Sequence, residues 1–147
     1  MPRLFYLRRF DDRSMKLLFV CIENSNRSQM AEAFARMHGS EGVEAYSAGS
    51  RPSGEVNPMA IRSMEEKGYD LSTHRSKGLE AIPPGPYDAV ITMGCGEECP
   101  WIAAEEREEW SMPDPKPLEG EDLDRVRDMI EQEVLELMEG LEKEKGP

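Results

Sequence analysis

The sequence predicts an α/β fold: a single-domain, four-stranded parallel sheet of strand order 2-1-3-4 with helices on both faces. Three observations carry that expectation. Lys16-Leu17-Leu18-Phe19-Val20 is a continuous apolar run, the pattern of a strand buried on both faces, and Tyr87-Asp88-Ala89-Val90-Ile91-Thr92-Met93 is a second short run of buried-strand character. Stretches of helical spacing alternate with the strand-like ones, which implies parallel strands joined by right-handed crossovers. A chain of 147 residues is long enough for one hydrophobic core and too short for two comfortable ones.

The elements follow in order. Residues 1–15 hold a few apolar and basic residues, and the run Leu4-Phe5-Tyr6-Leu7 is far too short for a signal sequence or a membrane span. They are read as an N-terminal extension without an assigned role, and 16–147 as the domain. The first strand delivers Cys21 to the C-terminal edge of the sheet. From Ser28, the residues Met30, Ala31, Phe34, Ala35 and His38 recur at helical spacing, with Gly39 where a helix would end. His38, near that end, is read as a capping or surface histidine.

Val43–Ser47 reads as the second strand and 48–54 as a loop. Asn57-Pro58 is a helix start, with a capping side chain and proline in the first turn. His74-Arg75-Ser76-Lys77 falls in a polar loop, where solvated charge and support of a ligand site are equally consistent. The third strand ends at the glycine-flanked pair Cys95 and Cys99. Trp110-Ser111-Met112 is expected as the last strand, followed by Asp114 held between two prolines. From Glu121 to Lys145, Leu123, Val126, Ile130, Val134, Leu137 and Leu141 fall at steps of three and four, an amphipathic helix with an acidic outer face.

A net charge of −12 argues against nucleic-acid binding and against attraction to anionic membranes. Three cysteines without a secretory signal suggest a reducing cytoplasm and thiols kept for chemistry. Cys95 and Cys99 could be half a zinc site, but no second pair or nearby histidine completes four ligands, so no metal is expected. The protein is expected to be a monomer.

The chemistry concentrates in Cys21-Ile22-Glu23-Asn24-Ser25-Asn26-Arg27-Ser28, between the first strand and the first helix. A loop at a helix N-terminus can turn its backbone N–H groups onto an anion, and an arginine can clamp that anion through two parallel hydrogen bonds. The same groups favour the ionised form of a cysteine. The stretch is therefore read as an oxyanion-binding loop, Ile22 to Arg27, around a thiolate nucleophile, Cys21. Strand order 2-1-3-4 also makes the first and third strands neighbours, with their C-terminal ends at the switch point where such sheets bind ligands. Two thiols 74 positions apart, Cys21 and Cys95, are then expected at one anion site.

CIENSNRSQMAEAF, the later Ser47-Ala48-Gly49 and Asp114-Pro115 together resemble the low-molecular-weight protein tyrosine phosphatase fold, and specifically its arsenate reductase branch, over about residues 16–142. The resemblance implies that Cys21 attacks arsenate, that Arg27 and the loop N–H groups hold its oxygens, and that Ser28 hydrogen-bonds the thiolate. It further implies that Asn24 locks the loop and that Asp114 protonates the departing oxygen. Cys95 would then attack the Cys21–arsenic adduct, releasing arsenite and leaving a disulfide that Cys99 could resolve by exchange. The reductant would be external, a thioredoxin or a low-molecular-weight thiol with a glutaredoxin-like or mycoredoxin-like partner. Some relatives bind potassium through residues like Glu32 and Ser47. Here Arg75 and Lys77 stand where further ligands would be, with Lys77 as the replacement for the cation. Two other readings stay open: a phosphatase acting on phosphotyrosine or a small phosphate ester through Cys21, Arg27 and Asp114, and a non-catalytic oxyanion or phosphoprotein binder.

Overall fold

A computed structural model describes residues 14–94, 101–115 and 117–145. Strand β1 (Met15–Cys21) lies between β2 (Val43–Gly49) and β3 (Tyr87–Thr92), and β4 (Ala104–Glu109) pairs with β3. All pairings are parallel and the order is β2-β1-β3-β4, as expected. The central place of β1 explains its composition. It has a strand on either side and a core on either face, and Leu17, Leu18, Phe19 and Val20 are all completely buried.

Side chains alternate across a strand, and β1 therefore feeds two cores. Leu17, Phe19 and Cys21 join the larger one, with helices α1 (Arg27–His38), α2 (Pro58–Glu65) and α3 (Gly120–Lys145). Leu18 and Val20 join a smaller cluster with Tyr87 and Val90. Helical structure covers the two faces unequally. Among the described residues, three α-helices pack on the first, while the 3-10 turn Leu79–Ala81 lies against the second with Ile82 and Ile102. The predicted apolar stripe of α3 is buried along its whole length, from Leu123 to Leu141. Each such side chain is worth about 1.5–3 kcal/mol when fully buried.

Several details differ from the sequence reading for physical reasons, among them β2, which runs on to Gly49, into the stretch expected as a loop, because Ala48 and Gly49 pair with Val20 and Cys21. Strand β1 begins at Met15 instead of Lys16, because Met15 donates its N–H to Gly42 and buries its side chain against the helices. The last strand is Ala104–Glu109, not Trp110–Met112. Its sequence AEEREE has little strand propensity; pairing with β3 makes it a strand, and its edge position lets the charges face water. Trp110 follows it, buried, with its ring centroid 5.9 Å from that of Phe19. His38 is a surface histidine, one of the two roles expected, and its Nε2 lies 2.6 Å from Glu131 of α3, tying the two helices together. Gly39 does end α1, but in extended conformation. It is needed for space, since a Cβ there would stand 2.5 Å from the Ala35 carbonyl and 2.8 Å from Val43.

Candidate functional site

The loop after β1 is held by its carbonyl groups. Cys21 accepts from the N–H of Ser50, Ile22 from Arg51, Glu23 from Ser53, and Ser25 from Asn57. The Asn24 carbonyl accepts from the Gln29 side chain, and that of Asn26 from the N–H of Met30. Six successive carbonyls are thereby engaged from outside. In a planar trans peptide the N–H points opposite to the preceding C=O, so the N–H groups of Ile22 to Arg27 turn the other way, toward the cleft that the loop lines. This is a backbone nest with positive character. Asn24, at φ 50°, makes the left-handed bend that the curl requires, a conformation asparagine tolerates better than most residues. Gly49 at the end of β2 lets the loop pass close by, since a Cβ there would lie 2.6 Å from the Ile22 carbonyl.

Cys21 is 4 % exposed, and its Sγ lies 2.8 Å from Ser28 Oγ. The proton assignments follow from fixed groups. The backbone N–H of Lys77 donates to Asn24 Oδ1 at 3.0 Å, so the Asn24 amide nitrogen must face Ser28, to which it donates at 2.8 Å. Ser28 Oγ is then an acceptor from Asn24, and its own proton is free for the sulfur. Gln29, completely buried, donates to the Arg75 carbonyl and to Asn24 Oδ1, both at 2.8 Å. Its oxygen therefore accepts from Nδ1–H of His74 at 2.9 Å. That tautomer leaves His74 Nε2 to accept from the Tyr69 hydroxyl at 2.6 Å. A directed chain of hydrogen bonds thus runs from Tyr69 through His74, Gln29, Asn24 and Ser28 to Cys21. Burial, the largest influence, lowers the pKa of His74 from its ordinary value, which suits the neutral ring this chain requires.

The polar loop at 74–77 lies directly beneath the site. Besides His74 and Lys77 N–H, Ser76 donates to the Glu23 carbonyl at 2.8 Å. Lys77 Nζ sits 3.2 Å from the Arg75 carbonyl, 3.5 Å from Ser47 Oγ and 3.7 Å from Glu32 Oε1. Glu32 is 4 % exposed; it also accepts from Ser47 at 2.6 Å and from Arg36 at 2.9 Å. Burial lowers the pKa of Lys77, with Glu32 opposing. Among the described residues, no group of three or more His, Cys, Asp and Glu side chains is arranged to hold a metal.

Arg27 reaches across the opposite wall. Its Nη1 is 3.5 Å from the Met112 carbonyl, and its guanidinium packs on Gly94. Gly94 has φ +75°, and a Cβ there would stand 2.7 Å from Nη1, so both conformation and space call for glycine. Cys21, Arg27 and Asp114 line one cleft of about 420 Å³, together with Arg51, Glu55 and Asn57. Asn26 also borders it, with both side-chain polar atoms buried and without a hydrogen-bond partner among the described residues. Cys95 and Cys99 lie outside the described residues. What is described of their surroundings is the strand before them: Val20 and Thr92 are register partners, and Met93 donates to the Val20 carbonyl at 2.8 Å.

Of the residues singled out in the sequence, Cys21, Arg27 and Asp114 line the cleft, and Asn24 and Ser28 are joined to Cys21 by hydrogen bonds. The sequence reading missed the parts of Gln29, Gly94 and Gly49, which depend on contacts made far along the chain, and it left the 74–77 loop, Ser76 included, open between solvated charge and support of the site.

Comparison with known proteins is consistent along the whole domain. Residues 16–146 match the family model described as low molecular weight phosphotyrosine protein phosphatase. A glutaredoxin arsenate reductase of Synechocystis sp. is 39% identical over 126 residues, 84% of this chain and 95% of that protein. A solved arsenate reductase in its phosphate-binding state superposes with a TM-score of 0.79 at 38% identity, covering 86% of this chain and 98% of that one. A thioredoxin-dependent arsenate reductase of Corynebacterium glutamicum superposes with a TM-score of 0.70 at 27% identity, covering 97% of this chain and 70% of that one.

Proposed function

The chain belongs to the low-molecular-weight phosphotyrosine protein phosphatase family, and from that premise we propose that it is an arsenate reductase that draws its electrons from an external thiol. The observation that carries the reading is the junction of the two central strands. The strand that ends at Cys21 is hydrogen-bonded to the strand whose continuation carries Cys95, through Met93 N–H and the Val20 carbonyl at 2.8 Å. Phosphate-ester hydrolysis has no use for a second thiol there.

In the proposed reaction the Cys21 thiolate attacks arsenic(V), held by the loop N–H groups and Arg27, and an oxygen leaves as water after protonation by Asp114. Ser28 steadies the sulfur through the hydrogen bond it has free. The Cys95 thiolate then attacks Cys21 Sγ. The S–As bond breaks with its electron pair passing to arsenic, arsenite leaves, and a Cys21–Cys95 disulfide records the two electrons lost. Exchange with Cys99 would pass the disulfide on, and a dithiol donor would restore both thiols at the cost of its own oxidation. Lys77 Nζ supplies the positive charge that a bound cation would otherwise bring to Glu32.

The test is arsenate-dependent oxidation of a thiol donor system by the purified protein, followed by mass mapping of the disulfide. A Cys95→Ser protein should bind oxyanion and lose turnover by several orders of magnitude. Sustained turnover by that variant would sink the mechanism. If it instead hydrolyses a phosphate ester as fast as the parent does, and neither reduces arsenate, the phosphatase reading takes its place.

A further inference from the structure

Trp101 is 75% exposed, the most exposed large apolar side chain among the described residues. A single apolar residue on a surface is ordinary, but this one is held in place. The Arg107 guanidinium stacks over the indole at 4.5 Å from its centroid, and its Nη1 hydrogen-bonds the Ile102 carbonyl. One face of the ring is thereby occupied and the rest is displayed at little further entropic cost, a trait of interface anchors, in which tryptophan and arginine are enriched. Beside it runs the open edge of the sheet. Strand β4 is terminal in the order, and it exposes Glu105, Arg107, Glu108 and Glu109.

The location matters as much as the chemistry. Ala104 pairs with Tyr87, at the start of β3, whereas the cleft lies at the C-terminal strand ends. Six residues of β3 at about 3.3 Å each put roughly 20 Å between the two levels. In the chain, however, Trp101 follows Cys99 by only two residues. A protein that attacks a disulfide at that cysteine must rest its surface within a few residues of it.

We propose that Trp101, Arg107 and the acidic edge of β4 form the docking surface for a protein dithiol reductant, one whose reactive thiols lie in an apolar face rimmed by lysine or arginine. The proposal rests on the reductase reading above and adds the partner's contact surface to it. A small thiol has no need of a displayed tryptophan; a protein partner gains its central contact from it. The glutamates select for a basic rim and speed encounter, an effect that salt screens. Because the surface is remote from the cleft, partner and oxyanion bind without competing.

The experiment compares the parent with Trp101→Ser under three reductants: thioredoxin with its NADPH-dependent reductase, glutaredoxin with glutathione, and dithiothreitol alone. The expected result is that the KM for whichever protein reductant supports the parent rises about tenfold or more. Turnover with dithiothreitol, and single-turnover arsenite release without any reductant, stay at the parental level. Phosphate should raise the KM for arsenate and leave the KM for the protein reductant unchanged. An unchanged KM in Trp101→Ser, an equal loss with dithiothreitol, competition between phosphate and the protein reductant, or a parent that turns over with dithiothreitol and neither protein system would each overturn the docking proposal. A parent that releases no arsenite in a single turnover overturns the reductase reading itself, and is told apart by needing no partner.

Discussion

Two buried polar clusters in this protein use the same materials to different ends. Under the Cys21 loop, Asn24, Gln29, His74 and Ser28 form a chain in which each hydrogen bond has one possible direction, because backbone groups of Lys77 and Arg75 fix the amides. Between α2 and α3, Arg127 is 6 % exposed and meets the Ser63 carbonyl, Asp124, Asp128 and Glu66. Its Nη1 is shared among Ser63, Asp124 and Glu66, so no single acceptor fixes it. The first cluster specifies the position of one atom, Cys21 Sγ; the second fastens two helices. Direction, not the number of hydrogen bonds, separates a positioning network from a structural one.

Substitutions should pull the two apart. Ser28→Ala removes the last link of the chain and is expected to lower kcat for arsenate reduction by about a hundredfold, since displacement of a reacting atom is costly. Its thermal stability should fall only by what an unpaired Asn24 amide costs. Arg127→Met should do the opposite: a loss of about 1.5–3 kcal/mol in unfolding free energy, read by denaturant titration, with kcat at the parental level. Equal effects of both variants on kcat would erase the distinction.

A smaller effect comes from His74. Its pKa is lowered by burial from the ordinary 6.5, so in the window just below that value the unfolded chain takes up a proton that the native one refuses. Stability should therefore decline as pH falls through that window. His74→Gln should flatten that part of a melting-temperature profile between pH 7 and 5, while Arg127→Met should leave its slope alone. Smallest is the response to cations. The parent should work equally well in potassium and sodium salts, whereas Lys77→Met, which leaves Glu32 short of positive charge, should become potassium-dependent.

The same contrast explains what the sequence made legible. The loop from Cys21 to Ser28 is contiguous, bounded by a strand pattern and a helix pattern; the parallel sheet follows from handedness and alternation, and the order 2-1-3-4 from taking the flavodoxin-like arrangement. Gln29 could not be read, because its partner Arg75 lies 46 positions away, and Ser76 stayed open between solvated charge and support of the site, because its partner Glu23 lies 53 positions away. Gly94 reads as a turn glycine until Arg27 is seen lying on it. Strand β4 was misplaced because six residues with four glutamates carry no apolar period, and only the neighbouring strand makes them extended. The expected meeting of Cys21 with Cys95 involves a residue, Cys95, outside those described.

The engaged carbonyls of the loop bear on selectivity. A ring of N–H donors reads charge and tetrahedral shape, and arsenate shares both with phosphate; the solved relative in its phosphate-binding state illustrates the point for that protein. Because the ring is formed in advance, either anion docks with little ordering cost, and binding alone offers scant discrimination. In the proposed reaction, selection is deferred to the step after attack, where a thiol can displace arsenic(III) as a leaving group but has no corresponding reduction to drive with phosphorus. On that account phosphate is a tolerated visitor, and the element is identified by whether it accepts electrons.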